Sequence, residues 1–494
     1  MTRVPAGILP PFAVDRRSAT PLYRQVYDGY RDAIVLRRLR AGERVPSTRD
    51  LARELGISRI PVLTAFEQLL AEGYFETRVG AGTFVARALP DDFHASARKH
   101  AAPPAPSRPG PRRVARTPEP LLRDPEPWLA GRGPFRLSQP AVDHFPVQAW
   151  SSLVSRHVRN PRASLLHYGE PMGYRPFREQ VASYLRTARG VRCEADQVMV
   201  VSGSQQALEI AARVLFEPGA PVWVEEPGYA GARDALTMAG ARLVPVPVDD
   251  SGLDVSAGIG READARGVYV TPSHQYPMGV TMAAARRLAL LDWAQRGGAW
   301  VIEDDYDSEY RYESLPIASL QGLDRDSRVI YVGTFSKTLS PALRLGFLVA
   351  PPSLVPAICA LRQAIDWCPP TVTQLALAAF IEGGHLDQHL RRSRLVYRER
   401  HLRLGRALDL LPAGYRRLVA LAGLHLAVTG PDTPNDDQLM AATAERDMLI
   451  GSLRHCYQVA DPLPGFLVGF GALPTDRVDA AVQALGSALL ERVR

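Results

Sequence analysis

Lys337 is the residue whose presence most needs a chemical reason. The chain has 494 residues and 59 Lys plus Arg, and of these only Lys99 and Lys337 are lysines. Arginine serves almost everywhere that a cation is wanted. It cannot serve where an amine must lose its proton and attack a carbonyl, because guanidinium stays charged. An amine kept at 337 therefore points to Schiff-base formation. Lys99 lies in a polar, Pro-rich segment and reads as a chance survivor. Thr334 and Ser336 precede Lys337, and Arg344 follows it. These are groups that can hold an anion.

The other candidates follow short apolar runs. Val198–Val201 leads into Ser202, Gly203, Ser204 and Gln205, where a helix start can offer free N–H groups to a phosphate. Val222–Val224 leads to Glu225, Glu226, Pro227, Gly228 and Tyr229, an aromatic able to stack on a flat ring. Val268–Val270 leads to Thr271, Pro272, Ser273, His274, Gln275, Tyr276, Pro277, Met278 and Gly279. Trp300–Ile302 leads to Glu303, Asp304, Asp305 and Tyr306, and Val329–Val332 leads to Lys337 itself. Helices are predicted over 205–216, near 233–239 and over 282–296, and further strands over 242–248 and 345–349. Strands alternating with helices imply an α/β fold with a mostly parallel sheet, whose ligands sit beyond the carboxyl ends of the strands.

An amine, a carboxylate, a phenol, a phosphate cup and a stacking ring are the parts that pyridoxal 5'-phosphate (PLP) needs. On these motifs residues 134–494 resemble the fold type I aminotransferases. The resemblance implies that Lys337 forms the Schiff base and Asp304 pairs with the ring nitrogen. Tyr306 would bond the ring oxygen, and Tyr229 would stack on the ring. Ser204, Gln205, Thr334, Ser336 and Arg344 would hold the phosphate. Two departures stand out. The Asn-Pro-x-Gly motif of those enzymes reads here Tyr276, Pro277, Met278, Gly279, which leaves His274 or Gln275 as the substitute for the Asn. Leu467 occupies the position of their carboxylate-binding Arg, and Arg454 is the nearest replacement for binding a substrate or effector.

The first quarter of the chain has a different character. Residues 1–133 carry 22 basic and 14 acidic side chains, whereas the rest carries 37 and 38. This end therefore suits a polyanion. Leu22, Val26, Tyr30, Ala33, Leu36 and Leu39 mark a helix. Ser47 caps a second helix, Gly56 makes a turn, and Ser58 caps a third that runs through Leu63, Phe66, Leu69 and Leu70, with Pro61 in its first turn. Two β-prone runs around Gly80 and Gly82 make a hairpin. Residues 18–86 resemble the GntR-type winged helix-turn-helix. By that resemblance Arg49, Ser58, Arg59 and the wing near Gly82 would touch double-stranded DNA. Residues 87–133 are rich in Pro, Ala and Arg and read as a linker.

Winged helix, linker and aminotransferase-like domain, in this order, resemble the MocR class of bacterial regulators. The resemblance implies a homodimer, arranged head to tail, whose large domain senses PLP or a small amine. The alternative is a working aminotransferase with an accessory DNA-binding module. A third reading makes the large domain a mere dimerisation unit. Cys193, Cys359, Cys368 and Cys456 show neither metal-ligand spacing nor a disulfide framework. No metal is expected. With no apolar run of about 18 residues, the sequence reads as a cytoplasmic protein without a membrane segment.

Overall fold

The computed structural model describes residues 12–87, 121, 131, 133–159, 165–312, 317–430, 436–459 and 461–490. Most of the stretch read as a linker lies outside the described residues. The chain divides into two units, Met1–Val114 and Ala115–Arg494. Among the described residues no helix is long and apolar enough to cross a membrane.

The first unit contains α1 (Leu22–Val35), α2 (Thr48–Glu54), α3 (Arg59–Ala71), β1 (Phe75–Arg78) and β2 (Gly82–Val85). Ser47 caps α2 by accepting from the Asp50 amide at 3.2 Å, and its hydroxyl donates to the Asp50 carboxylate at 2.6 Å. Gly56 takes φ +63° in the turn before α3, a conformation that costs glycine little. The core is aromatic. Tyr30 is fully buried and meets Phe66 and Phe75 edge to face, at centroid distances of 5.5 and 5.2 Å. β1 and β2 pair antiparallel, from Phe75 opposite Val85 to Arg78 opposite Gly82.

Three details differ from the sequence expectation. Leu36 lies just past the end of α1 and is exposed, and α1 instead buries Val26, Tyr27, Tyr30, Ala33 and Ile34. Leu63 is exposed as well, because α3 turns Val62, Ala65, Phe66 and Leu69 inward. Apolar residues on both helices outnumber the positions that can face the aromatic core. Ser58 stands at the N-cap of α3, but its side chain makes no capping bond.

The second unit is built on an eight-stranded sheet. Its strands are β3 (Val198–Val201), β4 (Pro221–Glu226), β5 (Arg242–Asp249), β6 (Gly252–Leu253), β7 (Gly267–Val270), β8 (Trp300–Asp305), β9 (Val329–Thr334) and β10 (Gly346–Val349). Their spatial order is β3-β10-β9-β8-β7-β4-β5-β6. Strands β9, β8, β7, β4 and β5 run parallel, while β10 is antiparallel to both of its neighbours and β6 to β5. Strands β7, β9 and β10, and the edge strand β3, are buried at every position, which explains their continuous apolar runs. Helices Ser204–Leu215, Ala230–Met238 and Ala284–Gly297 follow β3, β4 and β7. Trp223 and Trp293 stack at 3.8 Å between the sheet and the last of these.

A second sheet, of order β11-β12-β14-β13, joins Arg416–Arg417 (β11), His425–Thr429 (β12), Gly451–Ser452 (β13) and Gly465–Gly469 (β14). All its pairs are antiparallel. Of these strands the sequence marks only β14, at Leu467; β11 and β13 are two residues each, too short to leave a period.

Candidate functional site

The polar residues expected just beyond the strands occupy the last positions of the strands themselves. β4 runs on to Glu226, β8 to Asp305 and β9 to Thr334, because the parallel ladder continues with Asp304 opposite Val332 and Asp305 opposite Gly333. Side chains alternate along a strand, so Glu303, Asp304 and Asp305 meet different surroundings. Glu303 accepts from the amides of Leu320 and Gln321 at 2.7 and 2.8 Å and so anchors a short helix. Asp305 accepts from the buried Arg189 at 2.7 Å. Asp304 accepts from the Tyr269 hydroxyl at 2.9 Å through Oδ2, while its Oδ1 is buried without a partner. An unpaired buried carboxylate oxygen is costly, and burial pushes the Asp304 carboxyl up to about 7. Asp305 Oδ1 is also without a partner, but of the three acids only Asp304 lines the cleft that holds Lys337.

Asp304 lines a cleft together with Ser138, Ser204, Tyr229, Tyr269, Thr271, Tyr276, Tyr306 and Lys337. The Lys337 ammonium donates to the Ser138 carbonyl at 3.1 Å. Burial pushes its pKa down to about 8, against the opposing pull of Asp307 and Asp304. Such an amine holds a useful neutral fraction near pH 7 and can attack a carbonyl. Ser204 opens the helix Ser204–Leu215, whose first amides have no intrahelical acceptor. Before it, Gly203 takes φ +115° and lies under the Arg344 guanidinium. A β-carbon there would stand 3.3 Å from the nearest guanidinium nitrogen. The positive helix end and Arg344 thus flank one spot suited to a phosphate.

Tyr229 stands at the N-cap position of the helix Ala230–Met238, without a side-chain capping bond, and meets Tyr276 edge to face at 5.7 Å. The Tyr306 hydroxyl lies 3.0 Å from His274 Nδ1, which is also 3.0 Å from Asp307. The remaining nitrogen of His274 is buried and unpartnered, with His425 of β12 at a ring distance of 5.3 Å. Burial pushes His425 down to about 4, so it is neutral.

Of the residues singled out from sequence, Ser204, Tyr229, Asp304, Tyr306 and Lys337 line one cleft. Thr334 and Ser336 are buried next to Lys337, and the Thr334 hydroxyl accepts from the Ser336 amide at 3.1 Å. The exposed Gln205 turns its amide to the Gly231 carbonyl at 2.8 Å. His274 lies behind Tyr306 and does not line the cleft. Gln275 is spent on Glu225 and the Pro227 carbonyl, at 3.2 and 2.8 Å. The position of the missing Asn is held by Tyr276, which does line the cleft. Arg454 is exposed in a short turn outside the lining. The turn is stitched to the Tyr229 loop, with the Gly228 amide donating to the Cys456 carbonyl at 2.9 Å. Leu467 is buried in an apolar cluster with Leu137, Ala427 and Leu453, against which Tyr276 packs. Sequence reasoning missed Ser138 and Tyr269, and it named Thr271 and Tyr276 without giving either a role in the cleft. The one available signal was Tyr269, a phenol within the apolar run Val268–Val270, whose hydroxyl needs a buried partner.

In the first unit Arg49, Ser58, Arg59 and Gly82 are all exposed. Arg59 donates through Nε to the Thr48 hydroxyl at 3.1 Å, which ties the start of α3 to the start of α2.

Residues 135–453 match the family described as aminotransferase class I and II, and residues 22–85 match the bacterial regulatory proteins of the gntR family. The chain is 37% identical to the probable rhizopine catabolism regulatory protein MocR of Rhizobium meliloti, covering 97% of this chain and 95% of that one. It is 31% identical to the pyridoxine biosynthesis transcriptional regulator PdxR of Corynebacterium glutamicum, over 94% and 95% of the two chains. Among solved structures, the α-aminoadipate aminotransferase LysN of Thermus thermophilus, complexed with N-(5'-phosphopyridoxyl)-L-leucine, is 29% identical. It superposes with a TM-score of 0.69 over 74% of this chain and 94% of that one.

Proposed function

The chain belongs to the MocR class of GntR-type transcription regulators, and from that premise we propose that its aminotransferase-like unit holds pyridoxal 5'-phosphate at Lys337 and reports its state to the DNA-binding unit. One observation carries the reading: a half-buried amine and a buried carboxylate with an unpartnered oxygen share a cleft with a helix N-terminus. When bound, the cofactor supplies an aldehyde for covalent capture and a conjugated ring that takes up electrons.

Each part of the cleft then has a task. Lys337 provides the attacking nitrogen, and its lowered pKa keeps part of it unprotonated. Asp304 would hold the ring nitrogen of the cofactor, and the Tyr269 hydroxyl fixes the carboxylate plane. Tyr306 donates to the ring oxygen, with His274 and Asp307 holding the phenol in place. Tyr229 covers one ring face. The helix start at Ser204, together with Ser336 and Arg344, takes the phosphate, and Tyr276 fills the place of the missing Asn.

The effector is the cofactor itself or a small amine that competes for it. Leu467 closes with apolar surface the place where the aminotransferases carry a carboxylate-binding arginine, so a carboxylate on the effector would rely on Arg454. The same feature favours sensing over amino transfer. Double-stranded DNA is bound by α3 and the wing, and a two-fold homodimer would present two reading heads to paired half-sites. Occupancy of the cleft shifts the balance between arrangements with different DNA affinity.

The test is to map protection of the DNA upstream of the gene by purified protein, with PLP, with candidate amines and without either. Protection should change in extent or affinity when the cleft is filled. Protection that is indifferent to cofactor, together with a colourless protein, would refute the proposal.

A further inference from the structure

The solvent face of α3 is unexpectedly apolar at its start. Ile60 is 74% exposed and Leu63 41% exposed. Thr64 is exposed too, and its hydroxyl donates back to the Ile60 carbonyl at 3.2 Å, so its methyl is the group left without a partner. Positions 60, 63 and 64 are spaced i, i+3, i+4 and form one stripe. The stripe is not core. The inward face of α3 is complete with Val62, Ala65, Phe66 and Leu69. The same two helices also expose cations, Arg49 and Arg53 on α2 and Arg59 next to Ile60 on α3.

Isolated exposed apolar residues need no explanation, but a stripe of three within the first two turns of the second helix of a helix-turn-helix does. These are the turns that reach base edges in the major groove. Of the four bases only thymine presents a methyl group there, and apolar side chains recognise it. From Ile60 to Leu63 and Thr64 the helix rises about 6 Å, close to two base-pair steps of about 3.4 Å.

We propose that Ile60, Leu63 and Thr64 read thymine methyl groups, and that the operator half-site carries adjacent A·T pairs under the start of α3. This rests on the reading of the first unit as DNA-binding and adds to it the class of base recognised. The exposed arginines supply phosphate contacts, which position the helix without selecting sequence.

The experiment has two stages. Full-length protein first selects duplexes from a random pool. Each selected thymine is then replaced by deoxyuridine, which pairs identically and lacks only the methyl. Affinity is read by fluorescence anisotropy at fixed salt. Wild type should bind about fourfold more weakly for each contacted methyl removed, the value of one buried methylene-sized group. Ile60→Ala and Leu63→Ala, both at exposed positions and checked for unchanged melting, should each abolish the penalty at one or two thymines. Arg49→Ala should weaken thymine and deoxyuridine duplexes by the same factor. If wild type does not distinguish the two duplexes, or if both alanine variants keep every penalty, the proposal fails while DNA binding stands. If no duplex is selected, the DNA-binding reading fails with it.

Discussion

Lys337 and Asp304 are only as informative as their surroundings. Lys337→Ala should remove the visible absorbance of the loaded protein, together with the mass added when borohydride fixes the cofactor. Asp304→Asn should keep covalent capture but lower cofactor affinity about 10–100-fold, the range for losing a buried hydrogen bond to a charged group, as read by spectral titration. The same carboxyl sets a pH dependence. Its folded pKa of about 7 stands above the unfolded value of 3.8, so the folded state binds the proton more tightly. Cofactor-free protein should therefore lose stability as pH rises from about 4 through 7. Glu225, Glu303 and Glu309, also raised to about 7 by burial, act in the same direction. Melting temperatures from pH 5 to 8 should fall, and fall less in Asp304→Asn. Lys337 stood out by residue type in a chain with only two lysines, whereas Asp304 was picked from three consecutive acids, and Tyr306 given its role, only through the resemblance. Tyr269, Tyr276, Thr271 and Ser138 were not legible as cleft residues, because the fold's register, and not a local pattern, turns them into the cleft.

At the scale of elements, the turn from β3 into the helix Ser204–Leu215 would carry the phosphate of the proposed cofactor, and Gly203 is its weak point. Gly203→Ala would force a β-carbon against Arg344 at a backbone angle that alanine avoids. It should weaken binding of PLP while leaving that of dephosphorylated pyridoxal little changed, as read by competition titration. In the first unit, Tyr30 joins α1 to α3 and β1. Tyr30→Ala should cost about 3–5 kcal/mol, as for other large buried aromatics, and abolish DNA binding without altering the cofactor spectrum. The parallel order of the large sheet could be anticipated from apolar runs separated by helical stretches. The small second sheet could not, since β11 and β13 are two residues each, too short to leave a period. The phase of α3 was misjudged at Leu63 because Val62 and Leu63 are adjacent and equally apolar. Only packing against Tyr30 and Phe75 decides between them.

Across the whole molecule, the proposal joins two units that read different chemistry. Arg59→Ala should weaken DNA binding and leave the cofactor spectrum intact, checked by anisotropy and absorbance on one preparation; loss of both would contradict the division of labour. The order of modules was plain from sequence, since a basic first quarter gives way to a near-neutral remainder. What couples them was not, for most of the connecting stretch carries no apolar period. The idle oxygen of Asp304 has an outcome beyond chemistry. A polypeptide whose buried carboxyl awaits the proposed cofactor would be at its least robust when vitamin B6 is scarce, and ligand binding would offset that. Inside a cell such a chain is cleared faster by proteases, so the nutrient would set how many copies of the regulator survive as well as what each copy does.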